Sequence, residues 1–142
     1  AKKTPIMKMY TLGHDFIPPA IHAGGLRYHA VSPLLSYLYN KNIISAESVH
    51  QSEVYKYGKM FAETQGIIPA PESAHAIAST VKEALRCKER GLSKTLLFCL
   101  SGHGFFDMSF YDAFENGHIK DYAYPESEIE NSLKNLPKVD MG

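Results

Sequence analysis

The run Thr95-Leu96-Leu97-Phe98-Cys99-Leu100 constrains this chain most, because it is apolar without alternation and empties directly into Ser101-Gly102-His103-Gly104. A strand with one wet face alternates apolar and polar residues. An unbroken run instead predicts a strand covered on both faces in a parallel sheet, and such sheets carry helices on each side. The expected class is therefore α/β, a partial parallel sheet with flanking helices. In open sheets of this kind ligands bind at the carboxyl ends of the strands, so the turn after Leu100 is the first place to look for a site.

Helical signals surround that run. Ser32-Pro33 offers an N-cap followed by proline at the first helical position, and Leu34, Leu35, Tyr37 and Leu38 supply an apolar face, which predicts a short helix over 33–41. Val54, Tyr57, Gly58 and Phe61 recur at helical spacing and predict a helix over 52–64. After the interruption at 66–71, Ala74, Ile77, Ala78, Val81 and Leu85 mark one face of a third helix, closed by Lys88, Arg90 and Gly91. Shorter helices are expected over 107–115 and 126–136. Residues 8–31 carry Gly13, Pro18, Pro19, Gly24 and Gly25, which predicts loops with one short strand near 9–12, and 46–51 is compatible with a strand. A length of 142 residues suffices for one core, so 1–142 is read as a single subdomain, loop-rich over 1–31 and with a polar tail over 116–142.

Composition narrows the function. Lys+Arg and Asp+Glu each number 15, and beyond the Lys2-Lys3 pair no like-charge run stands out, which argues against nucleic acid as a partner. No stretch approaches the roughly 18 apolar residues of a membrane span, and no signal pattern opens the chain, so a soluble, cytoplasmic protein without membrane contact is expected. Cys87 and Cys99 lie outside any zinc spacing and read as reduced structural thiols, the first in a helix and the second in a buried strand. Seven histidines, among them His14, His22, His29 and His103 with Asp107 four residues on, raise a metallohydrolase reading. The absence of any HExxH or HxH pair weighs against it. The tyrosines at 37, 39, 55 and 57 are better explained by packing than by base stacking.

Two stretches carry chemistry. In Ser101-Gly102-His103-Gly104 the glycines let the backbone approach a flat or anionic ligand while Ser101 presents a hydroxyl; a tight turn needing positive φ would use the same glycines. In Gly66-Ile67-Ile68-Pro69-Ala70-Pro71-Glu72-Ser73-Ala74-His75 the prolines stiffen the approach to a helix, and Glu72 suits the positive end of its dipole whatever else it does. His75 reads as a packed histidine.

Taken in order, Gly24-Gly25-Leu26-Arg27-Tyr28, Gly66 through Ala76, and Leu100 through Gly104 with Asp107 resemble three C-terminal motifs of the tryptophan synthase β family. The likeness runs from about Tyr10 to about Asp112, and Arg27 with Pro71-Glu72 is similar to the second-type, β-like branch. The resemblance implies the C-terminal subdomain of a fold-type II pyridoxal-phosphate enzyme, a lyase of tryptophan biosynthesis that replaces the hydroxyl of L-serine with indole. It implies that Ser101 hydrogen-bonds the pyridine nitrogen with Gly102 beside it, and that Glu72 lies close to the ring. Arg27 stands where the common branch has an aspartate near the substrate serine, and could meet a carboxylate or phosphate on the substrate. The backbone carbonyls of Tyr28 and Ala30 match positions that help bind a monovalent cation. Gln65 departs from the usual glutamate before Gly-Ile-Ile-Pro, and His103 from the usual arginine.

The family's Schiff-base lysine and phosphate cup precede Tyr10 and have no counterpart in these residues. Together with the arbitrary look of Ala1 and of Met141-Gly142, this predicts a fragment that holds no catalytic residue of its own and is inactive alone. Its expected partners are the remainder of the enzyme, a second copy in a homodimer of the complete enzyme, and an α-type subunit. The other reading is an independent non-catalytic ligand-binding or interaction module that retains the Ser-Gly-His-Gly turn.

Overall fold

The computed structural model describes residues 5–137; the Lys2-Lys3 pair and the last residues of the tail, Met141-Gly142 among them, lie outside that range. The chain divides into two compact units, one drawn from Ala1–Ala20, Arg27–Glu47 and Ala123–Gly142 and the other from Ile21–Leu26 and Ser48–Tyr122.

In the first unit, helix α1 (Pro33–Asn40) begins where the sequence requires it, with the Ser32 hydroxyl accepting the Leu35 N–H at 3.3 Å and proline at the first position. Its buried residue, Ser36, accepts the Tyr10 N–H at 3.1 Å and donates to the Val31 carbonyl at 3.3 Å. The strand expected near 9–12 is reduced to one antiparallel bridge between Thr11 and Ala30, flanked by Leu12 N–H to His29 O at 2.7 Å and Val31 N–H to Tyr10 O at 3.0 Å. Helix α5 (Glu126–Lys134) follows its dipole, with Glu126 and Glu128 in the first turn and Lys134 in the last.

The second unit holds the core. Helix α2 (Gln51–Gln65) contributes Val54 and Tyr55, and helix α3 (Pro71–Glu89) contributes Ala74, Ile77 and Ala78, all buried. Gly58 allows the close approach at their crossing: a Cβ there would lie 3.3 Å from Ala74 Cβ and 2.6 Å from the Tyr111 hydroxyl of helix α4 (Met108–Glu115). The start of α2 has no local cap, since His50 makes no side-chain cap bond. Asp121 caps it from a distance, accepting the Ser52 N–H at 2.9 Å and the Ser52 hydroxyl at 2.5 Å. The hydroxyl bond, then the N–H bond, holds the Asp121 carboxyl below the usual carboxylate range. Gly66 at φ 70° ends α2, and Gly91 at φ 61° follows α3 as its sequence predicts.

The sheet is where expectation and structure part. Among the described residues no strand is formed. Residues 95–100 are irregular rather than a covered strand; Leu97 is 97% exposed, and Cys99, expected in a buried strand, is exposed. The physical reason is that a strand makes its backbone hydrogen bonds with neighbouring strands, whereas a helix makes them internally. Residues 46–51 also form no strand, and Gln51 already belongs to α2. No described helix is long and apolar enough to cross a membrane.

Candidate functional site

The turn after Leu100 is laced antiparallel to the approach to α3. Pro69 and His103 form a bridge, with Ala70 N–H donating to Gly102 O at 2.9 Å and Gly104 N–H to Ile68 O at 2.8 Å. The glycines serve close approach and not a left-handed turn, because neither Gly102 nor Gly104 has positive φ. A Cβ on Gly104 would sit 2.5 Å from the Pro69 carbonyl oxygen, and one on Gly102 would sit 3.2 Å from Ala70 Cβ. Tyr111 tightens the same strap by donating its hydroxyl to Pro69 O at 2.8 Å. Burial, and then the nearby Asp107, push the Tyr111 hydroxyl up to about 12, so it remains a donor across the neutral range.

Ser73, in the first turn of α3, fixes the turn from below. Its Oγ accepts the Ser101 N–H and the Gly102 N–H, each at 3.1 Å, and lies 3.2 Å from Ser101 Oγ. The sequence reading did not single out Ser73. It is only 1% exposed, and its available signal was a small hydroxyl residue one place after Glu72.

Glu72 stands beside it. Its Oε1 accepts the Gly25 N–H at 2.7 Å, and a Cβ on Gly25 would come within 3.0 Å of Glu72 Cγ and Oε1. The short 3-10 helix Gly24–Leu26 thus rests on the carboxylate through a glycine backbone. Elements of all three motifs, Gly25, Glu72 and Ser101-Gly102, meet in the second unit through Glu72, Ser73 and the α3 N-terminus. Arg27, Tyr28 and Ala30 belong to the first unit. There Arg27 donates to the Pro18 carbonyl at 3.2 Å, Tyr28 is exposed, and Ala30 sits in the bridge to Thr11.

Asp107 finds a partner that sequence spacing did not suggest. His22, 85 residues away, places Nε2 at 2.6 Å from Asp107 Oδ1 and stacks on Phe110, while His103 packs against Phe105 and Phe106. Among the described residues no three His, Cys, Asp or Glu side chains are grouped to hold a metal ion.

No protein-family model matches the chain. Curated relatives do. The tryptophan synthase beta chain 2 of Aquifex aeolicus is 57% identical over 118 residues, which cover 83% of this chain and 27% of the relative. The tryptophan synthase beta chain of Fervidobacterium nodosum is 59% identical over 108 residues, 76% of this chain and 25% of the relative. The tryptophan synthase beta chain 2 of Methanosarcina acetivorans is 55% identical over 119 residues, 84% of this chain and 27% of the relative. Identity at this level over most of the chain defines a homologue of biosynthetic synthase chains much longer than these residues. The chain belongs to the tryptophan synthase beta chain family, and it spans about a quarter of the length of the curated relatives it matches.

Proposed function

We propose that this chain forms the ring-nitrogen side of the active site in a pyridoxal-phosphate lyase that replaces the hydroxyl of L-serine with indole to give L-tryptophan. The observation that carries the reading is the clamp of Ser101 and Gly102 on Ser73 next to Glu72, in a homologue of chains named tryptophan synthase beta. A held neutral hydroxyl, a glycine backbone without Cβ atoms and an adjacent carboxylate suit a flat heteroaromatic ring with an acceptor nitrogen.

When bound, the cofactor supplies an electron sink. Ser101 hydrogen-bonds the ring nitrogen without forcing a proton onto it, as a carboxylate would. Gly102 keeps the wall beside the ring thin. Glu72, oriented by the Gly25 N–H, holds negative charge close to the ring and can take or return a proton there. Arg27 meets an anionic group of the substrate, and the Tyr28 and Ala30 carbonyls contribute to a monovalent-cation site.

In this reading residues 1–142 act as one C-terminal subdomain of a fold-type II enzyme. Residues 95–100 become a strand of a parallel sheet when the remainder of the enzyme supplies its neighbours, which accounts for the exposed Leu97. The complete enzyme is a cytoplasmic homodimer that takes an α-type subunit. The chain alone is inactive.

The test compares the chain alone with the chain joined to the remaining length of the Aquifex aeolicus relative, each given pyridoxal phosphate, L-serine and indole. Tryptophan is expected only from the joined protein, and Ser101→Ala there should lower kcat by roughly tenfold or more, the worth of one strong hydrogen bond. A stoichiometric, borohydride-fixed cofactor adduct at one lysine of the chain alone would overturn the claim of inactivity. A joined protein that binds no cofactor would favour the independent binding module.

A further inference from the structure

We propose that His22 and Asp107 are positioning residues for Glu72: their hydrogen bond ties the segment that orients this carboxylate to the turn Ser101–Gly104, and so sets where the carboxylate stands relative to that turn. The role rests on the functional reading above and adds to it two side chains that act through Glu72 rather than on the ring.

The direction of a glutamate carboxylate depends on several free torsions, and at Glu72 the Gly25 N–H on Oε1, at 2.7 Å, selects among them. What holds Gly25 therefore holds Glu72. Leu26 N–H donates to Ala23 O at 2.9 Å, and Ala23 is 2% exposed, so residues 23–26 form one closed turn that moves as a body. Its fit against the carboxylate is close, since a Cβ on Gly25 would come within 3.0 Å of Glu72 Cγ and Oε1. A small swivel of the turn would shift the carboxylate.

His22 is the entry to that turn. Its N–H donates to Gln51 Oε1 at 2.8 Å, one point of attachment about which the turn could rotate. The imidazole supplies the second point: its ring stacks on Phe110, with centroids 3.2 Å apart and planes 12° apart, and Nε2 lies 2.6 Å from Asp107 Oδ1. A carboxylate only accepts, so Nε2 is the donor, and a short bond of this kind is among the strong ones. The two side chains are 24% and 19% exposed, which leaves water little room to replace either partner.

Asp107 is in turn fixed to the Ser101 side. Its N–H donates to Gly104 O at 2.9 Å, and its carbonyl accepts the Phe110 and Tyr111 N–H groups at 2.9 and 3.2 Å as α4 begins. The contacts close a ring: Ser101 and Gly102 on Ser73, Ser73 next to Glu72, Glu72 on Gly25, Gly25 through one turn to His22, His22 on Asp107, and Asp107 on Gly104. Breaking the His22–Asp107 link frees the Gly25 side and leaves the Ser73 side intact.

Two measurements test this. In the nitrogen-15-labelled chain, His22→Ala should cut hydrogen-exchange protection of the Gly25 amide by roughly tenfold, while the Ser101 and Gly102 amides, held by Ser73, keep theirs within about twofold. Asp107→Asn keeps the shape and weakens only the acceptor, so it should give the same pattern to a smaller degree, and it reads the bond even where His22→Ala does not fold. Unchanged protection at Gly25, or an equal loss at all three amides, would overturn the proposal. In the joined protein described above, His22→Ala should lower kcat by roughly tenfold to a hundredfold with little change in KM for L-serine. His22→Gln, whose amide N–H reaches about as far as Nε2, should recover most of the loss. Adding His22→Ala to Glu72→Ala should cost less than about twofold more, because no carboxylate is left to position. Losses that multiply in full would overturn the role of His22 and leave the functional reading standing. No tryptophan from the unsubstituted joined protein would overturn both.

Discussion

Two parts of the second unit end in states opposite to their apolarity: α2 and α3 mix polar and apolar residues and close a core, whereas residues 95–100 are apolar except for Thr95 and stay largely exposed. Where α2 meets α3, Val54, Tyr55, Ala74, Ile77 and Ala78 are at most 2% exposed, whereas in residues 95–100 Leu97 is 97% exposed and Leu100 39%. A helix satisfies its own backbone, so two helices need only each other's apolar faces to close a core. An extended segment needs other strands before its side chains can be covered. The helix pair closes its core within these residues; the segment 95–100 pairs with no strand among the described residues.

The largest test of that contrast lies at Tyr55, which is fully buried between Tyr111, with ring centroids 5.1 Å apart, and Phe114 at 6.0 Å. Tyr55→Ala should cost about 3–5 kcal/mol in urea unfolding, as truncation of a buried aromatic does. Tyr55→Phe should stay within about 1 kcal/mol, because the tyrosine hydroxyl has no hydrogen-bond partner among the described residues. A loss below about 1 kcal/mol for Tyr55→Ala would mean that the helix pair is not the stable part.

Next comes Gly104, where the strap to Pro69 leaves no room. The added Cβ would meet backbone, the Pro69 oxygen at 2.5 Å, so Gly104→Ala should cost about 1–3 kcal/mol and loosen the Ser101 turn as well. Hydrogen exchange at the Gly104 and Ala70 amides, which form the strap, would report the loosening. Unchanged protection at both amides would contradict the crowding.

The same contrast explains how much could be read in advance. The helices were legible because their signals are local: Ser32-Pro33 starts α1, and Gly91 follows α3 at positive φ. Cys99 was misplaced because an apolar run states that a strand wants cover without stating where the cover comes from. In the candidate site, the ordered motifs name Glu72 and Ser101 but not Ser73, which meets Ser101 across 28 residues. His22 is named only among the histidines of the metal reading, and its pairing with Asp107 is hidden for the same reason, since nothing near it in sequence points to Asp107.

Asp121 is another long-range partner, and it gives a smaller effect. It caps α2 in place of the missing local cap, so Asp121→Ala should cost about 0.5–2 kcal/mol, as the loss of an N-cap does. Because its folded carboxyl is held below the usual range, the contribution is present above the ordinary aspartate pKa of about 3.9 and fades as pH falls through the lower folded value. Unfolding midpoints of the two proteins measured from pH 6 downward should therefore converge in acid. A constant gap down to the acid limit would show that the carboxylate charge is not what caps the helix.

The smallest effect expected in the chain alone belongs to Leu97, and it cuts deepest into the comparison. A side chain 97% exposed has almost nothing to lose on substitution, so Leu97→Asp should shift the stability of the chain by no more than about 0.5 kcal/mol. In the protein joined to the rest of a relative, the same charge would lie between two covered faces of a sheet and should block cofactor binding and tryptophan formation together. A substitution silent in the chain and severe in the whole would mark residues 95–100 as an element completed from outside. Equal and small effects in both would leave Leu97 at the surface of the complete enzyme and remove the sheet from the proposed architecture, while the helix pair and the Ser73 clamp would stand on their own contacts.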